Sequence, residues 1–277
     1  MNPTRTAPRE LAKVFDQNVS TLDARLDAFL KSGDAPSTAA LRKATRRLRT
    51  TRSVLPKRAR RDARVKRYVS ASRKLSKAAG EVRDIDTVAA WAVQMTEGKD
   101  RRSFISDLER LRAASLRAAV VKAKELRNTK TPSLRVRGLD GFDGGKRASK
   151  VERRLSRRVD KEFEEFMSTQ EVDVMHALRK DSKRLRHLLE LLDRGEPSPL
   201  LGRLRSIQDD LGAIRDHDLV IDYLRSRVRL TSTRSLVREE IAKRHARLED
   251  FLTKNRGQGH LVPFKARAVA AHPCDRP

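Results

Sequence analysis

The amino-acid sequence predicts an all-α fold made of two similar helical bundles related by an internal duplication. Three observations predict it. Apolar residues recur at helical spacing along most of the chain, and no segment shows a convincing strand alternation. Ala, Leu, Arg, Lys and Glu dominate a chain that is 36% charged and only 4% aromatic, a composition suited to long helices. A stretch of the N-terminal half also recurs in the C-terminal half.

Residues 9–31 read as the first helix, with Leu11, Phe15, Leu22, Leu26 and Phe29 at helical spacing. The segment from Gly33 to Ser37, which includes Pro36, breaks it. Ser37 or Thr38 is then placed to cap a second helix that runs to about Leu55 and stops at Pro56. A third helix covers 58–78 and ends near Gly80, a fourth covers 81–96 and ends at Gly98, and a fifth, long and basic, covers 101–127. Residues 128–146 hold Pro132, Gly138, Gly141, Gly144 and Gly145 with little periodicity, and read as a loop between halves of about 9–128 and 147–254. An isolated strand at 134–137 is the one exception to helix that the pattern suggests. Helical patterns follow at 147–168, 172–193, 199–213, 215–229 and 233–254. One domain over 1–255 is therefore expected, with 256–277 as a disordered tail carrying several Gly and Pro residues.

Lys and Arg number 64 against 37 Asp and Glu, a formal net charge of +27. A chain this basic repels itself unless an anionic partner neutralises it. The candidates are nucleic acid, an acidic membrane or a phosphate polymer. A merely solvated basic surface is the plain alternative, and the patterning of the charge speaks against it. Cys274 is the only cysteine, so neither an intrachain disulfide nor a cysteine-based metal site is available. No apolar run approaches the roughly 20 residues that span a bilayer, and the N-terminus has no apolar core of signal-peptide length. A cytoplasmic protein without a membrane partner is expected, its oligomeric state unread.

The repeat has two elements in the same order. Ala40-Leu41-Arg42-Lys43-Ala44-Thr45-Arg46-Arg47-Leu48-Arg49 matches Ala177-Leu178-Arg179-Lys180-Asp181-Ser182-Lys183-Arg184-Leu185-Arg186 at seven of ten positions. Gly80-Glu81-Val82-Arg83-Asp84-Ile85-Asp86 then matches Gly212-Ala213-Ile214-Arg215-Asp216-His217-Asp218. Two matches in register imply a duplication.

Helical geometry gives the first element its meaning. Leu41, Ala44, Leu48 and Leu55 share one face, and Arg42, Arg46 and Arg49 form a stripe beside it. In the second copy Leu178, Leu185 and Leu192 make the apolar face, Arg179, Lys183 and Arg186 the stripe, and His176 extends the stripe one turn earlier. A stripe next to the core-facing side should flank a groove between helices. Neighbouring like charges destabilise a helix, so a bound anion would relieve that cost. The competing reading pairs the stripes with Asp84, Asp86, Asp216 and Asp218, which are too few to neutralise them.

His176-Ala177-Leu178-Arg179-Lys180 followed by Lys183-Arg184-Leu185-Arg186 resembles the signature of the CHAD family, the conserved histidine α-helical domain. Leu204, Gln208, Leu211-Gly212 and Asp216 resemble its second signature, and Arg42 to Arg49 and Gly80 to Asp86 repeat both in the N-terminal half. The resemblance covers most of 9–254. It implies two four-helix bundles around a basic cavity or pore, binding of inorganic polyphosphate and association with polyphosphate granules. It assigns Arg42, Arg46, Arg49, His176, Arg179, Lys183 and Arg186 to the polyphosphate. The pattern departs at Ala39, where a histidine usually precedes the first arginine by three positions, and at His187, where an aromatic often stands.

Other candidates carry less. His176 among cations should stay mostly neutral and hydrogen-bond to phosphate rather than react covalently. Asp216-His217-Asp218 looks ligand-like, but its repeat is Asp84-Ile85-Asp86, which reads as structural, so no metal site is expected. Gly141 to Arg147 superficially resembles a phosphate loop, yet has Arg147 where Ser or Thr should hold magnesium, and reads as a flexible connector. No acid–base pair or activated nucleophile stands out, so neither catalysis nor a cofactor is expected. Non-specific nucleic-acid binding is the second functional class. Against it, aromatic stacking platforms are scarce, with one Trp and two Tyr. A polyphosphate-processing enzyme is the third, and lacks a magnesium-binding carboxylate cluster facing the stripes.

Overall fold

The computed structural model describes residues 8–134, 144–192, 199–227, 233–257 and 261. Nine α-helices and no strand lie within them: α1 Pro8–Ser32, α2 Ala35–Val54, α3 Lys57–Arg61, α4 Ala63–Ala92, α5 Lys99–Arg127, α6 Gly144–Thr169, α7 Val172–Leu192, α8 Pro199–Arg227 and α9 Thr233–Asn255.

α1 buries Leu11, Phe15, Leu22, Leu26 and Phe29, the face its periodicity marks. Gly33 ends it in the left-handed region, φ 59°, where its N–H donates to the Phe29 carbonyl at 2.9 Å. The cap of α2 is Asp34 rather than Ser37 or Thr38. Its carboxylate accepts from the Ser37 N–H at 2.7 Å, and Pro36 sits in the first turn, where a missing N–H costs nothing. Thr38 is buried, and its hydroxyl donates to the Asp34 carbonyl at 2.8 Å.

Two expected breaks are absent: α4 runs through Gly80, and α8 runs unbroken through Ile214, where helices at 199–213 and 215–229 are expected to part. A glycine inside a helix costs about 0.5–1 kcal/mol relative to alanine. Burying Tyr68, Leu75, Val82, Ile85 and Val88 along α4 outweighs that, at roughly 1.5–3 kcal/mol for each large apolar side chain. The break falls earlier, at Asp62. That residue ends the five-residue α3 and caps α4, accepting from the Arg64 and Val65 N–H groups at 2.9 and 3.0 Å.

In the N-terminal half α1 packs on α2, α2 on α4, α4 on α5, and α5 returns to α1. In the C-terminal half α6 packs on α7, α7 on α8 and α8 on α9. Phe251 of α9 closes that bundle against Phe163 and Phe166 of α6, with ring centroids 6.5 and 5.7 Å apart. Across the halves like meets like: α2 packs on α7, and α4 on α8. Two copies related by a two-fold rotation make that pattern. One hydrophobic cluster runs through both halves, and a smaller one, with Ile85, Val88, Phe104, Leu219 and Leu224, joins α4, α5 and α8.

The connector between the halves is shorter than its sequence suggests, because α6 begins at Gly144 and takes Lys146 and Arg147 into its first turns. Leu134 is held by its N–H donating to Asp16 Oδ1 at 3.0 Å, and the rest of the suggested strand at 134–137 lies outside the described residues. Residues 193 and 228–229, suggested as helix ends, lie outside them too. The tail departs from expectation at Leu261, which is buried in the core and whose carbonyl accepts from Arg203 at 3.0 Å. Residues 258–260 and 262–277 of that segment lie outside the described residues.

Candidate functional site

The rotation of α2 and α7 is set by their leucines. Leu41, Leu48, Leu178 and Leu185 are fully buried, as are the repeat-equivalent Thr45 and Ser182. With those faces turned inward, the two stripes fall where α2 packs on α7. Arg42, Arg46, Arg49, Arg179, Lys183 and Arg186 are all half-buried.

Their charges act on one another across the two helices. Arg46 is pushed down to about 10, by burial first and then by Arg42, Arg179, Arg186 and Arg49. Lys183 is pushed to about 7, by burial first and then by Arg179, Arg46, Arg42 and Arg186. Burial also lowers Arg42, Arg49 and Arg179. Arg83 and Arg179 add to the shift at Arg42, and Arg215 to that at Arg179, while Asp84 opposes both. The two stripes therefore lie together along the α2–α7 contact, the place expected for a cleft, with Arg46 and Lys183 among the other cations. Arg49 marks one end, where Arg184 and Arg73 act on it.

The carboxylates of the second repeat element do not neutralise this cleft. Asp86 pairs with Arg112 of α5 at 2.7 Å, and Asp218 with Arg244 of α9 at 2.5 Å, so both are taken by other helices. Asp84 stays half-buried near Arg42, Arg215 and Arg179, with burial raising its pKa against their pull. Asp216 is exposed. Among the described residues, no carboxylate stands within ion-pair distance of Arg42, Arg46, Arg49, Arg179 or Lys183. Arg186 has a long contact to Glu190, 3.8 Å.

Several donors in the cleft have no protein acceptor. The Nε atoms of Arg42 and Arg186 and the Nε2 atom of His176 are buried without a hydrogen-bond partner. His176 is lowered by burial first, then by Arg215 and Arg179, so its imidazole is neutral near pH 7. Arg42 passes beside α4 at Gly80, where a Cβ would lie 3.6 Å from one of its guanidinium nitrogens, an ordinary contact distance, so its placement does not depend on the glycine.

The structure brings together all seven residues marked in the sequence. It adds Arg215, which acts on Arg179 and on His176. The signal for Arg215 was present, since Arg83 and Arg215 hold one position of the repeated second element. Ala39 is exposed on α2, so the N-terminal stripe starts without an imidazole. His187 is buried, with its Nδ1 3.2 Å from Glu190 Oε2. His217 is used structurally, its Nδ1 lying 2.7 Å from the buried Glu240 of α9. Among the described residues no group of three His, Cys, Asp or Glu could hold a metal ion, and no helix is long and apolar enough to cross a membrane.

Helical bundles joined like to like, with cations gathered at the α2–α7 contact, define the class, and sequence comparison gives the family. The family model for the CHAD domain matches residues 13–225 and again 170–272. The chain belongs to the CHAD domain family. The crystal structure of the CHAD domain from the plant Ricinus communis is similar at a TM-score of 0.62, with 16% sequence identity over 98% of this chain and 94% of that one. At that identity the likeness speaks for the fold. No curated protein matches the chain.

Proposed function

We propose that this chain binds inorganic polyphosphate in the cleft between α2 and α7 without turning it over, and that it associates with polyphosphate granules in the cytoplasm. The observation that carries this reading is the convergence of Arg42, Arg46, Arg49, Arg179, Lys183 and Arg186, five of them without a carboxylate in ion-pair distance among the described residues. Half-buried like charges raise the energy of the empty cleft, and a bound polyanion lowers it. Arginine engages phosphate oxygens with two parallel N–H groups, lysine adds a point charge, and neutral His176 adds a hydrogen bond. Membership in a family known for polyphosphate binding supports the ligand, and the two stripes match the parts of its signature that this chain keeps.

Catalysis fits the cleft poorly. Phosphoanhydride hydrolysis uses an activated water and a metal held by acidic ligands, and a cationic cleft repels magnesium. Nucleic acid shares the phosphate charge but would leave its bases without the aromatic surfaces on which they stack. A competition titration tests the assignment. Long-chain polyphosphate, duplex DNA and RNA are compared at matched phosphate concentration and ionic strength. Polyphosphate should displace the others. Equal competition by all three polymers would replace the reading with a general polyanion binder.

A further inference from the structure

A second set of arginines lies beyond the Arg49 end of the cleft, and the cleft does not use it. Arg52 of α2, Arg60 of α3, and Arg147 and Arg154 of α6 come together where α2 packs on α6. Two of them are fixed by the backbone. Arg52 donates one terminal nitrogen to the Arg60 carbonyl at 3.0 Å, and Arg60 donates Nε to the Leu55 carbonyl at 3.0 Å. A guanidinium has five N–H donors, so each keeps most of its donors after anchoring the α2–α3 turn. The Nε atoms of Arg52 and Arg147 are buried with no partner.

Among the described residues, no ion pair joins a carboxylate to Arg52, Arg60, Arg147 or Arg154. Asp62 is the one carboxylate between Lys57 and Arg67, and it caps α4 with its Oδ1. The charge of Arg60 acts on both Arg52 and Arg147, and that of Arg154 on Arg147, with burial the larger cause at both. Lys57, Arg58 and Arg61 stand exposed beside them. The placement is also continuous with the cleft. Arg52 follows Arg49 by one turn of α2, about 4.5 Å of helix rise, and lies roughly 15 Å along the axis from Arg42.

We propose that Arg52, Arg60, Arg147 and Arg154 form a second phosphate-binding station, which takes the run of a long polyphosphate chain that emerges from the cleft past Arg49. This rests on the polyphosphate reading of the cleft. It makes chain length the property the protein selects. A short oligophosphate fills the cleft alone, whereas a long chain engages both stations, and the second contact forms at high effective concentration. Arg147 and Arg154 carry the station on α6. Arg52 and Arg60 carry it on the turn they also brace.

The test uses the full chain, with tripolyphosphate and long-chain polyphosphate as probes at one fixed ionic strength. Arg147→Glu/Arg154→Glu is compared with Arg117→Glu/Lys124→Glu, which changes net charge equally on the exposed side of α5. The expected result is a loss of long-chain affinity at least tenfold greater in the α6 variant than in the α5 variant. Tripolyphosphate affinity should fall equally in both. Because the α6 reversal could disturb folding, Arg147→Gln/Arg154→Gln is measured beside it. Its salt dependence for the long chain should be shallower than wild type by a log–log slope of roughly one to two. Equal long-chain losses in the two Glu variants, or an unchanged slope in the Gln variant, would overturn the second station. Failure of the cleft reading looks different, since tripolyphosphate would then not bind the wild-type chain in preference to other anions.

Discussion

Arg112 of α5 reaches Asp86 of α4 at 2.7 Å, and Arg244 of α9 reaches Asp218 of α8 at 2.5 Å, each across 26 positions of sequence. The duplication therefore extends beyond the two elements that sequence comparison of the halves displays, into the last helix of each bundle. Arg112 also donates to the Gly33 carbonyl at 2.9 Å, tying the end of α1 into the same clasp. The two aspartates of each second element consequently differ in role. Asp84 and Asp216 act on cleft arginines, while Asp86 and Asp218 hold the outer helices.

The clasps should matter for stability. Each leaves one buried carboxylate oxygen without a second partner, so removing the arginine strands the charge. Arg112→Ala and Arg244→Ala should each lower the unfolding free energy by about 2 kcal/mol, the range for hydrogen bonds to charged groups. Urea denaturation reads this as a lower midpoint at unchanged slope. Losses below about 0.5 kcal/mol in both variants would deny the clasp its role.

Much of the cleft was legible because a helix stripe needs only local geometry. Once Leu41 and Leu48 face a core, Arg42, Arg46 and Arg49 must flank it, and the repeat transfers that reasoning to Arg179, Lys183 and Arg186. What was not legible depended on tertiary contacts. Gly80 looks like a helix end, since local propensity cannot register the apolar burial that carries α4 through it. The partners of Asp86 and Asp218 lie one helix away. They show in the sequence only as Arg112, Ala114 and Leu116 against Arg244, Ala246 and Leu248, too weak a match to notice unaided. Arg215 stands within the repeat, but nothing local says that its charge acts on His176.

Placement rather than total charge should govern binding. Arg179→Glu/Arg186→Glu should weaken polyphosphate binding far more than Arg117→Glu/Lys124→Glu, although net charge changes equally. Affinity of the wild-type chain should fall steeply with salt, as counter-ion release requires. Direct titration at two ionic strengths reads both effects. Equal losses in the two double variants would make the binding diffuse and favour a general polyanion binder.

Truncation after Asn255 should separate stability from binding. It removes the buried Leu261 and the carbonyl that Arg203 donates to, but no cation of the cleft. A cost of about 2 kcal/mol follows from burying one leucine, while polyphosphate affinity should hold. Thermal melts and titrations on the same truncated chain separate the two. Lost binding with an intact fold would place the binding element in the tail.

Lys183 supplies the most specific prediction, because its pKa lies near 7, well below the ordinary lysine value of 10.5. Burial and four surrounding arginines keep the folded, empty protein from protonating it in the window between those values. The unfolded chain binds that proton and the folded one does not, so Lys183 makes the empty protein more stable as pH rises from about 7 to about 10. Below pH 7 it is charged in both states, and the full cost of the buried charge remains. A polyanion in the cleft reverses the balance by favouring the ammonium, so binding at about pH 8 should take up a proton, and affinity should strengthen as pH falls from about 9 towards 7. Titration calorimetry at about pH 8, in two buffers of different ionisation enthalpy, measures that proton directly. His176 and His187 are pushed below the ordinary histidine value and add little uptake at that pH. Lys183→Met should bind more weakly and with buffer-independent heat. Buffer-independent heat in the wild-type chain, or uptake that survives in Lys183→Met, would place the polyanion somewhere other than against Lys183.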